Sequence, residues 1–228
     1  YFPGNTIDQV GEPIGVYYGY KTSGLIQESD VGKIPIFSGE EPGDIKYTDL
    51  TGDGILDDSE RAIIGNPNPE VNYFIDLGGK FKGFDFEVLL NGYGKSTFVY
   101  TNRIAAPLNI SDPGAKPMVW QTDYWTPDNP DARFPSIVPN GLTSSNVTRF
   151  SDFWFENDAY AKIRYIQLGY TVNKELVQRY KIGNLRIYLN AENPFTFTRL
   201  SFLDPESEGD ETTYPLMRIF TFGLNVTF

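Results

Sequence analysis

The sequence predicts an all-β chain whose antiparallel strands belong to a large transmembrane β-barrel with long extracellular loops. Three observations carry this expectation. The 228 residues are 15% aromatic and include 22 Gly and 16 Pro, a composition of many strands and turns. Residues 218–228, RIFTFGLNVTF, alternate: Phe220, Phe222, Leu224, Val226 and Phe228 fall on one face, and Ile219, Thr221, Gly223, Asn225 and Thr227 on the other. A strand of about ten residues with rings along its apolar face suits a tilted crossing of a bilayer. The strand connections also alternate between short and long, as in bacterial outer-membrane barrels.

In chain order, residues 1–71 are rich in Gly, Pro and Asp and read as an extracellular loop region with strand-like pieces at 16–20 and 24–27. Within it lies the stretch 49–60, DLTGDGILDDSE. Counting from Asp49, oxygen ligands fall at positions one (Asp49), three (Thr51), five (Asp53), nine (Asp57) and twelve (Glu60), with Gly54 at six and the carbonyl of Ile55 at seven. This is the spacing of an EF-hand calcium loop, in which a glycine allows the sharp turn that wraps hard oxygens around Ca2+. An acidic turn that merely satisfies its own backbone is the plainer alternative. The flanks do not read as a helix pair, so the expected role is a staple on a β scaffold rather than a sensor.

Residues 72–228 read as barrel strands and their loops, with strands at about 72–81, 84–94, 160–172, 185–193 and 218–228. Lys82-Gly83 turns the first hairpin; NGYGKST after it imitates a phosphate loop, but that motif's first glycine would fall at Leu89. Residues 95–159 read as loop, broken by Pro107, Pro113, Pro117, Pro127, Pro130, Pro135 and Pro139. Trp120, Tyr124, Trp125, Phe153, Trp154 and Phe155 within it suit either sugar stacking or the packing of a long loop, with packing the plainer reading. Residues 194–216 read as a second long loop. Its acids Asp204, Glu206, Glu208, Asp210 and Glu211 suit a solvated tip or a cation site.

Several function classes are disfavoured. With no Cys and no His, disulfides, thiol nucleophiles, imidazole catalysis and the usual zinc sites are absent. A net charge of -11 without a basic cluster argues against nucleic acid. No pair of acids is marked as facing one cleft, so the expectation is a non-enzyme. Sequons at Asn109, Asn146 and Asn225 arise at chance frequency.

The blocks VGEPIGVYYGYKTSGLIQ, PGDIKYTDLTGDGILDDSERAIIGNPNPEVNY, KGFDFEVLLNGYGKS, NDAYAKIRYIQLGYTV, LRIYLNAENPFTFT and DPESEGDETTYPLMRIFTFGLNVTF resemble, in order and over nearly the whole chain, the SusC/RagA group of TonB-dependent outer-membrane transporters of Bacteroidetes. The resemblance implies the C-terminal portion of such a transporter, a multi-pass β-barrel of the Gram-negative cell outer membrane. It implies import of glycans or peptides with a SusD-like surface lipoprotein as lid, TonB acting through an upstream plug region, and an outer-membrane lipid environment. Phe228 resembles the signal read by the barrel assembly machinery. The alternative from another class is a soluble secreted β module, stabilised by calcium, that binds carbohydrate.

Overall fold

The computed structural model describes residues 5–100, 102–105, 118–137, 144–207, 214 and 216–228. Twelve strands follow one another among them: β1 (Thr6–Ile7), β2 (Val16–Tyr20), β3 (Thr22–Leu25), β4 (Ile45–Tyr47), β5 (Arg61–Gly65), β6 (Asn72–Phe81), β7 (Phe84–Tyr93), β8 (Thr97–Val99), β9 (Phe155–Asn157), β10 (Tyr160–Thr171), β11 (Asn184–Thr198) and β12 (Ile219–Thr227). They form two compact units, one from 1–68 with 97–156 and the other from 69–96 with 157–228. Residues 97–156, expected as a loop of the barrel portion, therefore share a unit with the first stretch of the chain.

In the first unit β1, β2 and β5 make one small sheet and β3 and β4 another. Strands this short cannot stand alone, and aromatic packing closes the unit. Tyr20, Phe37 and Tyr47 meet edge to face with centroids 5.5–5.6 Å apart. The Arg149 guanidinium lies 3.9 Å over the Phe37 ring and bonds Glu40 at 2.8 Å. Burial pushes the Glu40 carboxyl up to about 7 against the opposing pull of Arg149. Asn146 completes the edge of β4: its Oδ1 accepts from the Ile45 amide at 2.7 Å and its Nδ2 donates to Asp44 at 2.7 Å. At 3% exposure with both amide atoms engaged, Asn146 is a structural amide and not a surface sequon. Asn225 lies within β12, and Asn109 lies outside the described residues.

The second unit is a single antiparallel sheet in the order β12-β11-β10-β7-β6. Lys82 and Gly83, both at positive φ (47° and 90°), form the two-residue turn that matches strand twist in a tight hairpin. Register sorts the side chains into two faces. Leu77 pairs with Val88, Val88 with Ile166, Ile166 with Ala191 and Ala191 with Phe220, so every strand adds apolar residues to one face. The opposite face carries Asp85, Glu87, Lys162, Gln167, Arg186 and Asn190 at alternate positions. Near one end of the apolar face stand Phe81, Phe84 and Tyr170, near the other Phe195 and Phe197, with Leu77, Ile166, Leu168, Leu189 and Phe220 between. Phe81 is 72% exposed and Phe220 74% exposed, so this face is bare in the isolated sheet.

β11 runs to Thr198, through the proline expected to end it at 193. The reason is a bulge: register shifts between Ile163 and Tyr165 of β10, and the paired strand absorbs extra residues at Asn193, with positive φ, and Pro194. A proline is tolerated at such a bulge because no ladder hydrogen bond is asked of its nitrogen. Between β10 and β11 the expected short helical turn is Lys174–Gln178, capped by the Asn173 side chain on the Glu175 amide. Among the described residues no helix is long and apolar enough to cross a membrane.

Candidate functional site

Two places gather chemistry-bearing side chains, the acidic loop in the first unit and the polar face of the large sheet in the second. In the loop, Asp49, Asp53 and Glu60 bring carboxylate oxygens within 4.8 Å of one another. Gly52 and Gly54 stand at positive φ (74° and 80°), and their amides donate to Asp49 at 2.6 and 2.9 Å. Glu60, fully buried, accepts from the Leu50 and Thr51 amides and from the Thr51 hydroxyl. Leu56, 9% exposed, anchors the far side of the loop in the core.

Of the six expected ligands, the structure groups Asp49, Asp53 and Glu60, with the Thr51 hydroxyl 2.7 Å from Glu60 and 3.3 Å from Asp49. Ile55 donates its amide to Asp53 at 2.8 Å. Asp57 stands outside the group; its carboxylate caps the turn Asp58–Glu60 by accepting from the Ser59 amide and hydroxyl. The Gly54 amide holds Asp49 below the usual carboxylate range, and the Thr51 hydroxyl does the same for Glu60. Three carboxylates on a glycine-bent loop fit a calcium-type donor set.

On the polar face, Arg186 of β11 reaches across β10 to Asp85 of β7, donating from Nε at 3.0 Å and also from Nη2. The strand between them is bare at the crossing: a Cβ on Gly169 would lie 2.5 Å from the Arg186 guanidinium. A cavity of about 460 Å³ beside this pair is lined by Lys80, Glu87 and Gln167.

Further along, Tyr160, Lys162 and Arg164 of β10 close on the connection after β11. Lys162 Nζ lies 2.5 Å from Glu206 Oε2 and 3.2 Å from Asp204 Oδ1, Tyr160 donates to Glu206 Oε1 at 2.8 Å, and Arg164 donates to the same oxygen. Arg164 is steadied by Asn91, which accepts from its Nε at 2.8 Å. Burial pushes the Glu206 carboxyl up, but the bonds from Lys162 and Tyr160 outweigh it and hold the group below its ordinary value. Asp204 and Glu206 are thus not a solvated tip; Glu208, Asp210 and Glu211 lie outside the described residues. Strict alternation would put residues 160, 162 and 164 on the face of Ile166; the register shift between Ile163 and Tyr165 turns Tyr160 and Lys162 to the polar face, and the acids that meet them lie about forty residues downstream, both beyond the reach of local pattern.

The aromatic stretch is packing for its tryptophans. Trp125 and Trp154 are 8% and 7% exposed, and their ring N–H groups donate to Gln27 at 3.1 Å and to the Asn146 carbonyl at 2.7 Å. Trp120 leans on Phe134 at 5.5 Å.

No family model matches the sequence. In an alignment of 237 positions that covers 96% of the chain, it is 25% identical to TonB-dependent receptor P3 of Formosa agariphila, of which it covers 22%. It is 26% identical over 191 residues to TonB-dependent receptor SusC of Bacteroides thetaiotaomicron, with 82% of the chain and 18% of that receptor aligned. Among solved structures, the RagAB peptide transporter superposes on the whole chain with a TM-score of 0.69 at 20% identity, over 24% of that chain. The chain therefore spans under a quarter of the length of these relatives. Fold and likeness together define the class, part of the barrel of a TonB-dependent receptor. Within that class the chain is similar in sequence to SusC and shares the fold of part of the RagAB transporter, in keeping with the C-terminal portion that its sequence blocks resemble.

Proposed function

We propose that the chain supplies pore wall and outer loops to a transporter that imports glycans or peptides across the outer membrane. A SusD-like lipoprotein serves as its lid, and TonB drives it through a plug region elsewhere in the full-length protein. The observation that carries this reading is the two-faced sheet. A bare apolar face with rings towards both ends suits lipid and its two interfaces, and a polar, charged opposite face suits a water-filled lumen. In water such a face would aggregate. The test is fractionation of the native protein: recovery within a long chain from detergent-extracted outer membranes is expected, and recovery as a soluble protein without detergent would overturn the reading.

The same reading places Ca2+ in the loop Asp49–Glu60 as a staple that holds an outer loop rigid, with Asp49, Asp53 and Glu60 as its carboxylate ligands and Thr51 beside them. Asp53 is the ligand to remove, because Asp49 and Glu60 also hold the loop backbone while Asp53 bonds only its neighbour Ile55. In full-length Asp53→Ala, calcium affinity should fall at least about tenfold while barrel assembly is unchanged. Equal affinity in the variant and the parent, by calcium titration after chelation, would remove calcium from this account.

Phe228 continues the apolar face one position past β12 and is 93% exposed. As part of an assembly signal its ring is needed before the barrel is inserted, so Phe228→Ala in the full-length protein should lower surface levels severalfold. Normal levels by surface labelling would count against that role.

A further inference from the structure

Glu206 is held as a ligand is held. Three donors at alternate positions of one strand, Tyr160, Lys162 and Arg164, converge on its single carboxylate, and Lys162 is wholly buried beneath it. The donors belong to the wall, where β7 and β11 pair with β10 on either side and Asn91 fixes the guanidinium. The carboxylate belongs to the strap 199–207, in which Leu200 and Pro205 are also buried and the Pro205 carbonyl accepts from Tyr93 at 3.4 Å. Asp204 adds a second anion to Lys162 and shapes the strap by accepting from the Glu206 amide at 2.9 Å.

An ionic clasp of this kind differs from an apolar one in being reversible. When the strap lifts, water takes over both sides, and the lost attraction is largely offset by regained hydration. What stays on the wall is a phenol, an ammonium and a guanidinium spaced to receive one carboxylate, the donor set with the strongest charge-assisted bonds to that group.

We propose that Tyr160, Lys162 and Arg164 form a carboxylate-binding site on the pore-facing wall, and that Glu206 occupies it as an internal ligand which a carboxylate-bearing solute displaces. The proposal rests on the reading of the polar face as lumen. It makes the strap an autoinhibitory contact: the site's apparent affinity for a solute is reduced by the fraction of time the strap is closed.

The test uses succinate, whose two carboxylates mimic Asp204 and Glu206, titrated calorimetrically into the full-length receptor in detergent at ionic strength held constant with chloride. Glu206→Gln should bind succinate about tenfold more tightly than the parent, because the internal competitor is weakened. Adding Arg164→Gln should abolish that gain. Heat-dependent gel mobility of the barrel reports folding; if Glu206→Gln fails to fold, Glu206→Asp, one methylene shorter, is expected to show the same tightening. Binding no tighter than in the parent, or a gain that survives loss of Arg164, overturns the site. The pore reading is judged separately, by fractionation: a receptor found in the outer membrane with no succinate effect loses this site and keeps that reading.

Discussion

Trp154→Ala should destabilise the first unit by about 3–5 kcal/mol, the range for emptying a buried indole site. The ring is 7% exposed, stacks on Phe134 at a centroid distance of 6.3 Å and meets Phe153 edge-on at 5.1 Å. Its N–H also satisfies the Asn146 carbonyl at 2.7 Å, and the Asn146 side chain in turn holds the Ile45 amide. Truncation therefore leaves a cavity, an unpaired buried carbonyl and a loosened edge of β4, effects that act in the same direction. Hydrogen exchange in the full-length protein would read this directly. Protection at residues 45–47 should drop more than about a hundredfold while β10 and β11 stay unchanged. Protection retained at 45–47 would mean that the indole serves something other than packing, reviving a platform for sugar rings.

This tryptophan also shows where sequence reasoning stops. A ring in a proline-broken stretch is equally consistent with a ligand platform and with a plug of apolar packing, and only burial with a partner for the N–H separates them. The strands were legible because a period of two is local: Phe84, Phe86 and Val88 announce their face without reference to any other element. Pro194 misleads for the same reason, since whether a proline ends a strand depends on a bulge whose other half lies thirty residues upstream at Ile163 and Tyr165. The acidic loop is legible in part. Spacing brings Asp49, Asp53 and Glu60 together, but Asp57 is followed two residues later by Ser59, and that short-range cap holds its carboxylate away from the group. Glu206 stands out within the acidic run, yet nothing local says that a strap folds back onto Lys162 of the wall.

Gly92→Val should prevent most of the full-length chain from reaching a folded barrel, with an expected yield below about a tenth of the parent, because overpacking against fixed backbone leaves no cheap relaxation. Gly92 is buried in β7, paired with Tyr73 of β6 and Ala161 of β10. A Cβ there would lie 2.0 Å from the Tyr160 carbonyl oxygen and 2.5 Å from the Tyr73 hydroxyl. The ring of Tyr73 covers the glycine, and its hydroxyl donates to that same carbonyl at 2.6 Å, so ring, hydroxyl and neighbouring strand occupy the space a side chain would need. The obstacle is backbone of a strand itself held on both sides, and no rotamer change relieves it. Gly78→Ala is the control in the same sheet, since its Cβ would meet only the Phe86 carbonyl oxygen at 3.4 Å, and it should assemble at close to parental yield. Heat-dependent gel mobility of outer-membrane fractions compares the three proteins. Equal yields for Gly92→Val and Gly78→Ala would mean that β7 and β10 separate at this point in the membrane. The register that aligns the two faces of the sheet would then not hold at its outer end.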